Sequence, residues 1–495
     1  MRRRSVVRQA VTAGLPMFVA LAIMLAHVGQ GEFSVDTGWY SAIALQAWRG
    51  ALDDGGWGAL WSLLAEGGAG GIPYFNKPPL GFWLNGLALY ALGPTVAGAR
   101  MGSVVAGVLC CGVLAHASSL AGGRRVGLCA GLVLGLTWEF ARHTHAFSLD
   151  AWLALFMLVG MWPGAMALWS GRGKWIALSG VGIGLALMTK PLLGLLLLPV
   201  LALWLVAVGR ARWCGWLAGA LAVALAIAAP WHVSMVALHG DAFTSQYFGR
   251  EIAERAAGRI SAPNTGGVGA AYYVLELLKV YWPWLGTIML GAIALIARRA
   301  SVSRRSDAAA GVLCIAFILV WVLALSLHPD RRARYLLPMY PAGAWLSALW
   351  LARWSPIGMR AVVSRLLPRI AVVAVIGAIV IAALPVRLHR RENRQWSAVF
   401  EHMHAAGITE VYQGGLAGAR SGRVYLETGR WPTPTRDHSG ALVARPAWGS
   451  YLLYHRRDGW SPGAGEEILF TSGDLTLTQF RRGAWSPEPL PDAGE

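Results

Sequence analysis

Apolar and polar positions fall into long blocks along this chain, without the spacing of an amphipathic surface helix. Apolar runs of roughly 18 residues recur, each bounded by a polar or basic segment, and runs of that length find no core to hide them in a water-soluble globule. The pattern predicts spanning helices at about 11–28, 97–119, 126–141, 151–169, 175–189, 192–208, 214–230, 272–297, 309–327, 335–352 and 369–386. The apolar piece 78–93 is shorter and opens on Pro78-Pro79, so it reads as a helix lying on the membrane surface or re-entering it. The expected fold is a polytopic α-helical membrane protein of about 11 spans, and up to about 13.

The basic residues fix the orientation. Alternating crossings put Arg2, Arg3, Arg4 and Arg8, Arg124/Arg125, Arg172/Lys174, Arg210/Arg212, Arg298/Arg299/Arg304/Arg305 and Arg353/Arg360/Arg365/Arg369 all on one side. That is the positive-inside pattern, and it makes the N-terminus cytoplasmic. Counting 78–93 as a crossing would put every later cluster outside. A long first loop, 30–96, and a second, 231–271, then face outward within a transmembrane domain of residues 1–387. Hydropathy falls after about Leu388, and 388–495 is long enough for one small external domain. A helix ending near His402–Gly407, strands at Glu410–Tyr412, Ser450–Tyr454, Glu467–Phe470 and Leu475–Phe480, and Gly- and Pro-rich turns predict an α/β fold there.

Composition agrees and removes one alternative. Of 495 residues 56% are hydrophobic and only 14% charged. The net charge of +18 would suit a nucleic-acid partner, but its basic residues sit in short clusters between apolar runs, which excludes that reading. The five cysteines all lie in apolar segments, so no disulfide framework is expected outside. The N-terminal Arg cluster and apolar run lack a small-x-small cleavage site and read as an uncleaved anchor.

Ionisable residues near a membrane are costly, and those facing a cavity are functional by default. Here they collect on the outer side: Asp36, Lys77, Arg100, Asp150, Lys190, His232, Arg250, Glu251, Arg255, and the run Asp330-Arg331-Arg332-Ala333-Arg334-Tyr335. Lys77 stands out, because Pro78 and Pro79 fix the backbone behind it. Arg250, Arg255 and Arg259 share roughly one helical face, and the Arg331–Arg334 run opposes the positive-inside trend, which points to an anionic ligand. Asp36 and Asp150 each begin an apolar helix and read either as helix caps or as working carboxylates. His143, His145 and His232 form no recognisable metal signature, so the metal question stays open.

The blocks Asp36-Thr37-Gly38-Trp39-Tyr40, Tyr74-Phe75-Asn76-Lys77-Pro78-Pro79-Leu80-Gly81-Phe82-Trp83-Leu84, Asp150, Thr189-Lys190-Pro191, Pro230-Trp231-His232 and Arg334-Tyr335-Leu336-Leu337-Pro338 occur in that order. They resemble the membrane glycosyltransferases of the lipid A aminoarabinose transferase (ArnT-like) and protein O-mannosyltransferase type. The resemblance covers roughly residues 11–350, and its Lys-Pro-Pro-Leu-Gly-x-Trp block is its most specific part. It implies a GT-C fold and inverting transfer of a sugar from a polyprenyl (undecaprenyl) phosphate donor, at the periplasmic face of a bacterial inner membrane, to a lipid A-like glycolipid or a protein. It implies catalytic roles for Asp36, Lys77 and Asp150. Donor-phosphate contacts would come from Lys77, Lys190, Arg250, Arg255, Arg331 and Arg334, and substrate contacts from Tyr40, Tyr74, Trp83, His232 and Tyr335. No cofactor is certain, with room for a divalent cation. Where family members carry Asp-Glu and an Arg two positions on, this chain has Asp36-Thr37 and Trp39; where they carry an acid before the lysine, it has Asn76. Membrane lipids are the other expected partners. The competing readings are a transporter or flippase for lipid-linked sugars, and an inactive glycan-binding membrane protein.

Overall fold

A computed structural model describes residues 2–255 apart from 27, 30–34 and 66–71, then 257, 259, 271–298, 306–383 apart from 329, and 391–481 apart from 417–418, 437–448 and 456–465. Among the described residues, five helices are long and apolar enough to cross a membrane, or six if the pair Tyr272–Val280 and Trp284–Ala297, bent by 111°, counts as one broken span. Thr12–Leu25, Gly173–Leu187 and Leu193–Ala207 are apolar but shorter. The chain is thus a multi-pass helical membrane protein whose crossings are often broken or bent.

The chain gathers into two compact units. The first holds Met1–Val28, Phe75–Gly81 and Gly102–Leu384. In it helix Arg2–Leu25 packs on Arg124–Gly135 and Ile357–Ala383, and Ser179–Leu187 packs on both Leu149–Ser170 and Trp216–Thr244. Small residues permit that second pair of contacts: a Cβ at Gly182 would run into the backbone of Gly160 and Phe156, and one at Gly180 into that of Ala220. Helices approaching this closely gain dispersion contacts that lipid tails cannot offer. Helix Ile357–Ala383 leaves Val372, Val373, Ile376, Ile379 and Val380 exposed, a face suited to hydrocarbon.

Sequence boundaries move: the span expected at 369–386 begins earlier, in helix Ile357–Ala383. The span expected to end at Pro230 continues as helix Trp216–Thr244, kinks at Gly240 and runs on as a π-helix, Ser245–Glu254, so the front half of the expected loop 231–271 is helical. The reason is local: proline removes only one hydrogen bond, and Val233, Met235, Val236 and Leu238 prolong the apolar surface.

The second unit joins parts far apart in sequence: Gly29–Tyr74, Phe82–Met101 and Pro385–Glu495. Strands β1 (Leu64–Ala65) and β2 (Ile72–Pro73) form a short antiparallel ribbon. A five-stranded sheet follows from β3 (Tyr412–Leu416), β4 (Thr433–Arg436), β5 (Tyr451–His455), β6 (Glu466–Ser472) and β7 (Leu475–Phe480), in the order β4-β3-β5-β7-β6. The first two pairings, β3 with β4 and with β5, are parallel and the last two antiparallel. Trp396, Val399, Phe400 and Met403 recur at one-turn spacing on helix Arg391–Ala405 and share a core with Leu453, Leu475 and Leu477. Helix Ala419–Thr428 adds Val424 to that core, while its Tyr425 and Leu426 pack with Ala42, Leu45, Leu89 and Ala99. Neither this helix nor β4 was evident from the sequence.

Candidate active site

The first unit carries a buried polar network at one end of its helices, and it starts at Lys77. Asn76, before it, accepts a 2.7 Å hydrogen bond from Gln246, and Phe75 packs edge-on to Phe243 and against the His239 ring. On the other side, Pro78 and Pro79 are buried, and the Leu80 amide donates to the Met188 carbonyl at 3.0 Å. A residue preceding proline is confined to extended backbone, so the lysine is held between fixed neighbours. Residues 239, 243, 247 and 251 recur every fourth position, which presents the contacts to Phe75 and Lys77 along one stripe of the kinked helix.

Lys77 Nζ donates to Glu251 Oε1. Glu251 Oε2 accepts from Arg255 at 2.8 Å, and Arg255 reaches Asp330 Oδ2 at 3.4 Å. Asp330 also accepts from Tyr335 Oη at 3.0 Å and Arg332 Nε at 3.3 Å. A second group lies on neighbouring elements of the same unit: Lys190 donates to Asp150 Oδ1 at 2.6 Å, and Arg334 Nε lies 3.9 Å from Asp150 Oδ2. The Lys190 ammonium sits 4.6 Å from the centre of the Tyr335 ring, a cation–π contact that ties the two groups together. Glu251, Asp150 and Asp330 are each less than a tenth exposed. Among the described residues, five cations face these three carboxylates, two positive charges in excess.

Burial lowers the Lys77 ammonium to about 8, against the raising pull of Glu251 and with help from Arg255 and Lys190. Lys190 is lowered as well, chiefly by burial, with Asp150 opposing. At Asp330 burial pushes the carboxyl up, but Arg332, Tyr335 and Arg255 outweigh it and leave the group below its usual range. Two lysines held partly desolvated are poised for an anion that brings its charge with it.

Local sequence explains how each group is delivered. Ser148 caps helix Leu149–Ser170 by accepting from Ala151 at 3.2 Å, so capping falls to Ser148 and frees Asp150, two residues on in the first turn, for Lys190. Lys190 occupies the break after helix Ser179–Leu187, where Leu192 takes the left-handed φ of +58° that a leucine adopts only under constraint. Gly81 lies against Leu149 and Thr189, where a Cβ would collide with the Leu149 side chain.

Of the residues named from sequence, Lys77, Asp150, Lys190, Arg255, Arg334 and Tyr335 come together here. Arg250 is exposed and stands apart from the network, as does Arg259. In the 331–334 run, Arg332 and Arg334 make the ion pairs quoted above. His232 packs on Trp231 and bonds Tyr247 Oη at 3.0 Å, behind the Phe75 contacts. Tyr40 and Tyr74 belong to the second unit, where they form a three-ring cluster with Phe82. Trp83 is also there, stacked on Trp61 with its indole N–H on the Leu60 carbonyl at 2.6 Å, so packing occupies it. Asp36 lies in the first turn of helix Val35–Leu52, but its side chain falls outside the described residues. Glu251 and Asp330 were noted among the outer ionisable residues and Arg332 within the arginine run, but none of the three was given a role of its own in the site. The Glu251–Arg255 spacing of four was the available signal. Among the described residues no group of three or more His, Cys, Asp or Glu side chains is placed to hold a metal.

The sequence profile of the dolichyl-phosphate-mannose-protein mannosyltransferase family matches residues 76–233. An undecaprenyl phosphate-alpha-4-amino-4-deoxy-L-arabinose arabinosyl transferase of Edwardsiella ictaluri is 30% identical over 298 residues, covering 57% of this chain and 51% of its own. The corresponding protein of Pectobacterium carotovorum is 27% identical over 58% of this chain and 51% of its own. The chain therefore matches about half the length of these relatives. In structure, ArnT from Cupriavidus metallidurans bound to undecaprenyl phosphate superposes with a TM-score of 0.70 at 19% identity, over 97% of this chain and 98% of that one. Its apo state gives 0.71 at 17%, over 96% and 98%.

Proposed function

We propose that this chain, which has the ArnT-type GT-C fold, is a glycosyltransferase that moves a sugar from a polyprenyl phosphate, undecaprenyl phosphate in a bacterium, to a lipid A-like glycolipid or a protein. The observation that carries this reading is the excess of positive charge, part-buried, around Lys77 and Lys190. In the donor the phosphate is a diester with one negative charge. When the bond from the anomeric carbon to the phosphate oxygen breaks, its electron pair stays on that oxygen and the leaving monoester carries a second charge. A fixed cluster with two surplus cations stabilises the second state more than the first, and only such a difference accelerates a reaction. The acceptor oxygen attacks the anomeric carbon on the face opposite the departing phosphate, which inverts the configuration. An acceptor hydroxyl must give its proton to a base, the role proposed for Asp36; an acceptor that is already an anion needs none.

Three helices support an outward-facing side for this network. Leu149–Ser170 has Asp150 at its start and Arg172 and Lys174 just past its end, Trp216–Thr244 runs from behind Arg210 and Arg212 toward Glu251, and Ser306–Leu327 leads to Asp330. With the basic loops cytoplasmic, the network opens at the periplasmic face of the inner membrane. The C-terminal residues 388–495 are then periplasmic too.

The test compares glycolipid and glycoprotein masses from cells carrying the parent chain, a deletion, and Lys77→Ala at equal membrane levels. Disappearance of one sugar-sized increment from one acceptor class in both altered strains is the expected result and names both substrates. An unchanged mass profile in the deletion strain would overturn the assignment in favour of transport or binding.

A further inference from the structure

Glu251 is the one carboxylate in the network that touches both Lys77 and Arg255, one oxygen to each. Its side chain is only 5% exposed, so it is not a solvated counter-ion drifting near the site. A carboxylate and a phosphate present similar pairs of anionic oxygens to an ammonium and a guanidinium. The backbone that carries Lys77 and the guanidinium of Arg255 both have supports other than Glu251. Phe75, Asn76 and the two prolines fix the backbone of Lys77, and Asp330 holds Arg255 from its other side. With Glu251 withdrawn, the pair would remain as a ready anion seat.

The reaction proposed above creates a need for such a group. A site that stabilises a doubly charged leaving phosphate better than the singly charged donor retains its product, and release then limits turnover. A carboxylate tethered beside the seat competes at the effective concentration of an intramolecular ligand.

We propose that Glu251 is a resident stand-in for phosphate: it holds the position between Lys77 and Arg255 in the empty protein, yields it to the polyprenyl phosphate, and by returning expels the phosphate product. The inference rests on reading this network as the donor-phosphate site. Glu251 is on this account a positioning residue whose work is exchange, with no bond to the reacting atoms.

The test measures undecaprenyl phosphate binding to the purified full-length chain in lipid nanodiscs, for the parent, Glu251→Gln, Glu251→Asp and Lys77→Ala, alongside kcat and KM. Glu251→Gln should bind at least about tenfold more tightly, since a buried charge left without its partner gains most from the ligand. Its kcat and KM should fall together, as expected when product leaves slowly. Glu251→Asp keeps the charge but is too short to bridge both cations, and should lie between the two. Binding by Glu251→Gln that is unchanged or weaker overturns the exchange role; should that variant fail to fold, a parent-like Kd for Glu251→Asp does the same. Loss of binding in Lys77→Ala upholds the donor site in either case, whereas undiminished binding there sinks the donor-site reading itself.

Discussion

At the scale of single residues, the proposed chemistry turns on Lys77. Its ammonium is disfavoured by burial and comes down to about 8. Because this lies below the ordinary value of 10.5, the folded chain gives up a proton that the unfolded chain keeps between about pH 8 and 10.5, so this group's cost to folding shrinks as pH rises through that window. Donor binding moves the opposite way, since only the charged form attracts phosphate. The Kd for undecaprenyl phosphate should rise by up to about tenfold per pH unit above about 8, and Lys77→Arg, always charged, should flatten that dependence. Replacing the lysine by alanine should lower kcat/KM by roughly a hundred- to a thousandfold, the usual loss when one preorganised charge contact to a leaving group disappears. Most of this was legible in the sequence, because a lysine followed by two prolines, or an arginine run on the outer side, defies the local apolar pattern. Glu251 was not, because an acid four residues before an arginine looks the same on any solvated helix, and only the fold brings Lys77 to it from 174 positions away.

Two elements translate backbone geometry into that arrangement. The π-helix Ser245–Glu254 follows directly on helix Trp216–Thr244, and its wider turn brings Tyr247 and Glu251 onto the stripe that meets Phe75 and Lys77. Deleting Gly249, which lies between them, should take Glu251 and Arg255 out of register with Tyr247. Membrane insertion should survive and phosphate binding should vanish, as nanodisc titration of the deletion would show. Helix Ser179–Leu187, which ends just before Lys190, fits against Leu149–Ser170 only because Gly182 faces Gly160. Gly182→Ala should destabilise the chain by about 1–3 kcal/mol and slide Lys190 away from Asp150, which thermal unfolding together with donor binding would register. Hydropathy located nearly every helix, and it also put the end of the 214–230 span too early. Periodicity reports which residues prefer hydrocarbon, whereas a helix that carries on past a proline into polar surroundings is set by what its side chains meet there.

On the scale of the molecule, the compact units do not follow the linear order. The first loop and the C-terminal region share a core in which Tyr425 and Leu426 meet Ala42, Leu45 and Leu89. Leu426→Ala should cost about 2–5 kcal/mol there. Limited proteolysis should then open the first loop and the C-terminal segment together, while cutting in only one of them would refute the shared core. No local pattern announces such a partnership; a strand propensity or an apolar run describes its own neighbourhood and carries no address.

That shared core also sets an order of events at the ribosome. Trp431 donates a 2.5 Å hydrogen bond to Gln46, a residue 385 positions earlier. At about 5–20 residues per second, Gln46 waits roughly 20–80 s for its partner to be made. Until then the helix Val35–Leu52, with Asp36 in its first turn, has Leu89 and Ala99 to pack on but lacks Tyr425 and Leu426. The nascent chain would thus complete the core around its first loop only near the end of synthesis, and a ribosome stalled before Tyr425 would hold the helix Val35–Leu52 without it.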